Sequence, residues 1–152
     1  MQIASKVITA LAGKTLVTAE SLTGGGIGAA LTAVPGASAV FKGGIISYTD
    51  EVKRGVLGVP AAYLATFGAV SAQVAEAMAL GAMELMQADV AVSVTGLAGP
   101  TGDEFGNPVG TVFIGYCSKT TGFSRAYHFS GDRESIRNQT IDAALQLILE
   151  NA

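Results

Sequence analysis

A chain of 152 residues that is 49% hydrophobic and 14% charged can bury a full core and is too apolar to remain disordered. Its net charge is −3 and its Lys and Arg residues are scattered, which argues against nucleic acid as the main ligand. Cys117 is the only cysteine, so neither an intrachain disulfide nor a cysteine metal cluster can form.

Residues 2–12 place Ile3, Val7, Ile8 and Leu11 at helical spacing, and Gly13 stops the helix. Lys6 inside that amphipathic pattern argues against a signal peptide. Thr15–Glu20 reads as a short apolar strand, followed by Ser21 and then glycines. Gly26–Val34 is a small-residue helix broken by Pro35-Gly36. Ala37–Phe41 forms a helical turn, Gly43-Gly44 opens a second strand over Ile45–Tyr48, and Asp50 stands at the N-cap of a short helix, Glu51–Leu57. Gly58 closes that helix, and Pro60–Thr66 is another helical segment.

Ser71 caps a long helix, Ala72–Met86, whose core stripe reads Val74, Ala75, Met78, Ala82 and Leu85. Asp89–Val94 is apolar on both faces, as a central strand should be. A Gly- and Pro-rich loop, Leu97–Pro108, leads to a hairpin of Val109–Cys117 and Phe123–Phe129, turning through Lys119–Gly122. Asp132 caps the last helix, Arg133–Leu149. Alternating strands and helices followed by a hairpin predict an α/β protein, a three-layer α/β/α sandwich over a mixed central sheet. No apolar run approaches the ~20 residues of a membrane span. The low charge predicts surface buried in a homo-oligomer, and a single unpaired cysteine fits a cytoplasmic setting.

The chemistry gathers around Ser21. A serine at the C-terminal edge of a strand, before glycines and a helix, can be a nucleophile facing an anion-stabilising pocket, a phosphate ligand, or only a cap or turn hydroxyl. A nucleophile needs a base. The one histidine, His128, lies in an alternating strand with no carboxylate pattern of a triad around it. Among five lysines, Lys53 lies beyond the C-terminal end of the second strand. If the first two strands are parallel neighbours, Ser21 and Lys53 share one sheet edge. A shielded lysine near a helix N-terminus has its pKa lowered and could take the serine proton; an exposed helix lysine is the plainer alternative. The N–H groups of Thr23, Gly24, Gly25 and Gly26 could hold an oxyanion, or the glycines could serve close packing.

The run Thr23–Gly28 matches neither a Walker A loop nor a Rossmann fingerprint. A second glycine loop, Thr95–Gly102, should open at the same edge, where backbone nests suit phosphate, with Arg133 as an anion partner or an exposed ion pair. Asp103 and Glu104 have no partner spacing for a metal. Cys117 reads as a core residue.

Thr18-Ala19-Glu20-Ser21-Leu22-Thr23-Gly24-Gly25 resembles the opening motif of the CinA C-terminal domain family. Val34–Ser38, Phe41–Gly44, Tyr48–Lys53, Gly68–Ser71, Val94–Pro100, Pro108–Val112 and Gly131–Arg133 match further motifs in order, across nearly the whole chain. The resemblance implies one domain over residues 1–152, a stand-alone protein of the PncC type lacking the N-terminal domain of larger CinA proteins. It also implies a metal- and cofactor-free amidohydrolase that converts nicotinamide mononucleotide to nicotinic acid mononucleotide and ammonia through a Ser/Lys dyad, here Ser21 and Lys53. Tyr48 would then orient Lys53 or line the pocket, Thr23–Gly25 would hold the oxyanion, and Thr95, Gly96, Gly99 and Arg133 are the candidates for the ribose phosphate.

Three departures stand out. Leu22 replaces a frequent cysteine, Thr49-Asp50 replaces Ser-Asn, and Asn107, after a short Asp103–Gly106 loop, stands where lysine is usual. A nucleotide-binding paralogue without turnover, or hydrolysis of another amide, remains the alternative.

Overall fold

The computed structural model describes residues 2–152. Five strands form one mixed sheet in the order β2-β1-β3-β4-β5. Strands β1 (Leu16–Glu20), β2 (Phe41–Ile46) and β3 (Val90–Gly96) are parallel, and β4 (Thr111–Ser118) and β5 (Gly122–His128) continue the sheet antiparallel. Every residue of β1 is buried, because helices cover both faces of the sheet.

Alternation along the strands separates two cores. Leu16, Val90, Val92 and Val94 face α1 (Gln2–Ala10), α2 (Gly26–Thr32) and α6 (Arg133–Asn151). Val17, Ala19 and Ala91 face α5 (Ala72–Met86) and the stretch holding Leu57 and Val59. The short helices α3 (Asp50–Gly55) and α4 (Ala61–Phe67) link β2 to α5. This is the predicted three-layer α/β/α sandwich.

Local expectations need correction at three places. Strand β2 begins at Phe41, not Ile45, and pairs from Leu16↔Phe41 onward. Gly43 and Gly44 lie inside it: a Cβ on Gly44 would collide with the Thr18 hydroxyl of β1. Thr49, not Asp50, caps α3, its Oγ1 accepting from the N–H of Val52 at 3.4 Å. On α5 the buried stripe holds Val74, Ala75, Met78, Ala79 and Ala82, with Met86 partly buried against it, which leaves Leu85 at its margin and 56% exposed.

Candidate active site

Parallel order brings the C-terminal ends of β1, β2 and β3 together, where sheets of this kind bind ligands. Strand β1 ends in Glu20 and delivers Ser21, whose N–H donates to the carbonyl of Val94 at 3.1 Å. The neighbouring β2 leads into Ser47–Thr49, and the Thr49-capped α3 turns Lys53 back toward β1. Lys53 Nζ lies 3.2 Å from Ser21 Oγ and donates to the Tyr48 carbonyl at 3.0 Å.

Lys53 is 1% exposed, and among the described residues no carboxylate reaches it at ion-pair distance. Burial holds its pKa below the ordinary lysine value of 10.5, with the Asp50 charge opposing the shift. An amine in that state can accept the serine proton. His128 is exposed on the edge strand β5, three places across the sheet from β1.

The positive end of helix α2 is not free to serve the serine hydroxyl. The buried Glu20 carboxylate occupies that end. It accepts from the N–H groups of Ile27 (2.9 Å) and Gly28 (3.0 Å) and from the hydroxyls of Thr23 (2.6 Å) and Thr18 (3.2 Å). The Gly24 N–H donates to the carbonyl of Ser21 at 3.1 Å, so Gly24 is removed as an oxyanion donor. Positive φ at Gly24 (58°) and Gly25 (100°) reverses the chain there. None of Thr23, Gly24 and Gly25 lines the cleft.

That cleft encloses about 350 Å³, at the small end of ligand pockets. Ser21, Leu22, Tyr48 and Lys53 form one wall, the 95–102 loop forms the other, and Arg133 stands between them. Arg133 donates to the Gly99 carbonyl at 2.6 Å and to the Tyr48 hydroxyl at 3.1 Å. The Thr95 hydroxyl is engaged elsewhere, donating to the Ala69 carbonyl at 2.8 Å. Gly96 serves close packing: a Cβ would meet Val112 and the Thr111 carbonyl.

Three contributors were given no structural role from sequence. Glu20 is one. Asn107 is another: its side-chain amide donates to the Val70 carbonyl and to Asp103 Oδ2, while Asp103 Oδ1 accepts from the N–H groups of Phe105 and Asn107. The third is Arg137, which donates from Nε to the Leu22 carbonyl (2.8 Å) and from Nη2 to the Thr23 carbonyl (3.3 Å). Its i+4 spacing from Arg133 on one helix face was the available signal. Cys117 packs in the α5-side core. Among the described residues, no cluster of three or more His, Cys, Asp or Glu side chains is placed to hold a metal ion, and no helix is long and apolar enough to cross a membrane.

Comparison with known proteins meets the same architecture. The family model for the CinA C-terminal domain matches residues 1–152. A nicotinamide-nucleotide amidohydrolase PncC of Pseudomonas putida is 46% identical over 135 residues, covering 89% of this chain and 84% of that protein. A CinA-like protein of Geobacter metallireducens is 48% identical over 133 residues, 88% of this chain but 32% of its own length. The chain thus spans about a third of the longer CinA-like relatives it matches. A crystal structure of a CinA superfamily protein from Klebsiella pneumoniae superposes with a TM-score of 0.95 at 36% identity, covering 98% of this chain and 94% of that one.

Proposed function

This chain belongs to the CinA C-terminal domain family, and we propose that it hydrolyses the carboxamide of nicotinamide mononucleotide to nicotinic acid mononucleotide and ammonia. One observation carries the reading: a buried lysine amine, its proton affinity lowered by burial, lies 3.2 Å from a serine hydroxyl in the wall of a cleft. The name of the Pseudomonas putida relative supports the substrate.

Ser21 Oγ bonds to the carboxamide carbon while neutral Lys53 takes its proton. The carbon–nitrogen bond then breaks, and the proton passes from Lys53 to the nitrogen, which leaves as ammonia. Lys53 next draws a proton from water, whose oxygen attacks the Ser21 ester. The acid departs and the proton returns to Ser21 Oγ. Tyr48 acts through its carbonyl, which holds the Lys53 amine in place.

Arg133 supplies positive charge for the ribose phosphate. The N–H groups of Ala98 and Gly99 lie on the same wall and have no acceptor among the described residues. The substrate is a small nucleotide, and residues 1–152 act as one domain in the cytoplasm. Val56, Leu80 and Leu85 are large exposed apolar side chains that suit contact with a second copy.

Ammonia release from nicotinamide mononucleotide by the wild type and by Ser21→Ala tests this. Release by the wild type alone is expected, with both proteins equally folded by circular dichroism. Equal release by the alanine variant refutes the dyad. The engagement of Arg133 with both walls favours a second reading, a nucleotide-binding module without turnover. Thermal stabilisation by the nucleotide with no ammonia released from the wild type selects it.

A further inference from the structure

An acyl-transfer site needs donors aimed at the developing oxyanion, and the obvious ones here are engaged. The α2 N-terminus is held by Glu20 and the Gly24 N–H by Ser21's own carbonyl. Two successive N–H groups of the same turn, those of Leu22 and Thr23, have no acceptor among the described residues. Leu22 lines the cleft beside Ser21, and it directly follows the nucleophile, the position that supplies an oxyanion N–H in other serine hydrolases.

What holds the turn that carries them is Arg137. A trans peptide points its C=O and N–H in opposite directions, so fixing a carbonyl fixes the neighbouring N–H. Arg137 binds the carbonyls of Leu22 and Thr23 with one guanidinium. These carbonyls share their peptides with the Thr23 and Gly24 N–H groups, and the Gly24 N–H in turn donates to the Ser21 carbonyl, whose peptide carries the Leu22 N–H. Among the described residues Arg137 has no carboxylate partner, so its charge polarises the 23–24 peptide and, through the Gly24-to-Ser21 hydrogen bond, the peptide that carries the Leu22 N–H. Arg137 does not line the cleft.

We propose that the Leu22 N–H is the oxyanion donor of this site, and that Arg137 is the positioning residue that orients it, through the Gly24-to-Ser21 hydrogen bond, from outside the cleft. The proposal rests on the amidohydrolase reading. It also explains why a leucine can stand at position 22, since only its backbone is used.

The test compares wild type, Arg137→Ala and Arg137→Lys in two assays. The first is steady-state ammonia release from nicotinamide mononucleotide. The second, free of any substrate assumption, is the rate of Ser21 sulfonylation by phenylmethanesulfonyl fluoride, read by intact mass. For Arg137→Ala, kcat should fall about 10- to 100-fold, less than the loss of a whole oxyanion donor. KM should stay within about threefold, the sulfonylation rate should fall in parallel, and added guanidinium ion should restore part of both. Arg137→Lys, which keeps the charge and one donor, should lie between.

A rise in KM with kcat unchanged makes Arg137 a substrate-binding residue and overturns the proposal. Unchanged sulfonylation overturns it too, as does a kcat loss that guanidinium cannot rescue in a variant with wild-type thermal stability. A wild type that releases no ammonia but is sulfonylated at Ser21 refutes the amidohydrolase reading alone, and the second assay still decides Arg137. A wild type inert in both assays overturns both.

Discussion

Replacing Lys53 by Met keeps the length of the side chain and removes its proton. The amine is 1% exposed and makes two hydrogen bonds, to Ser21 Oγ and the Tyr48 carbonyl. Its folded-state pKa lies below 10.5 because burial penalises the charged form. Between that lowered value and 10.5 the unfolded chain holds a proton that the folded chain does not, so wild-type stability rises with pH across this window. Below the window the penalty is complete, and it amounts to about 1.4 kcal/mol for every tenfold weakening of proton binding.

Methionine has no such slope. It leaves Ser21 and Tyr48 without their donor, at about 1–3 kcal/mol per unsatisfied buried group, but that cost does not vary with pH. The signature is therefore a stability difference between wild type and variant that grows in favour of the wild type as pH rises. Urea unfolding from about pH 6 to about pH 10 measures it. In parallel, loss of the general base should lower ammonia release about 100- to 10,000-fold, and the wild-type rate should climb with pH through a limb centred below 10.5. Parallel stability curves, or a variant retaining more than about a tenth of wild-type turnover, refute the reasoning.

Glu20→Gln replaces an acceptor-only carboxylate with an amide whose NH2 must face a backbone donor, the Ile27 N–H or the Gly28 N–H. It should cost about 1–3 kcal/mol by urea unfolding and lower kcat, because the serine turn is anchored there; full stability in the variant contradicts the anchoring. Asn107→Ala frees Asp103 and the Val70 carbonyl from the loop closure. Its KM for nicotinamide mononucleotide should rise about 2- to 10-fold with kcat nearly unchanged, and an unaltered KM removes the loop from substrate binding.

The layered fold was legible because its signals are local. Short apolar strand runs, small-residue helices, Pro-Gly breaks and the cap at Ser71 each act within a few residues. Errors arose where a neighbour across space decided. Gly43 and Gly44 read in sequence as the opening of a strand and lie inside it, and at Gly44 the Thr18 hydroxyl leaves no room for a side chain. Leu85 fits the helical stripe but lies at its margin, where Met86 takes the packed position.

Ser21 and Lys53 could be named from the chain, through a motif resemblance and an argument about one sheet edge. Sequence order cannot say that an acidic residue closing a strand turns its carboxylate onto the helix seven residues later, nor that an arginine on the last helix grips the serine turn 115 residues away. Apolar periodicity, turn chemistry and strand composition determined the sandwich and the edge at which chemistry gathers, since these depend on near neighbours. Which N–H groups are engaged, which stay free, and how deeply the lysine is buried were decided only in the tertiary structure. They depend on which partners reach each polar group once the sheet has assembled, and hydrogen bonding and desolvation act through distance in space rather than along the chain.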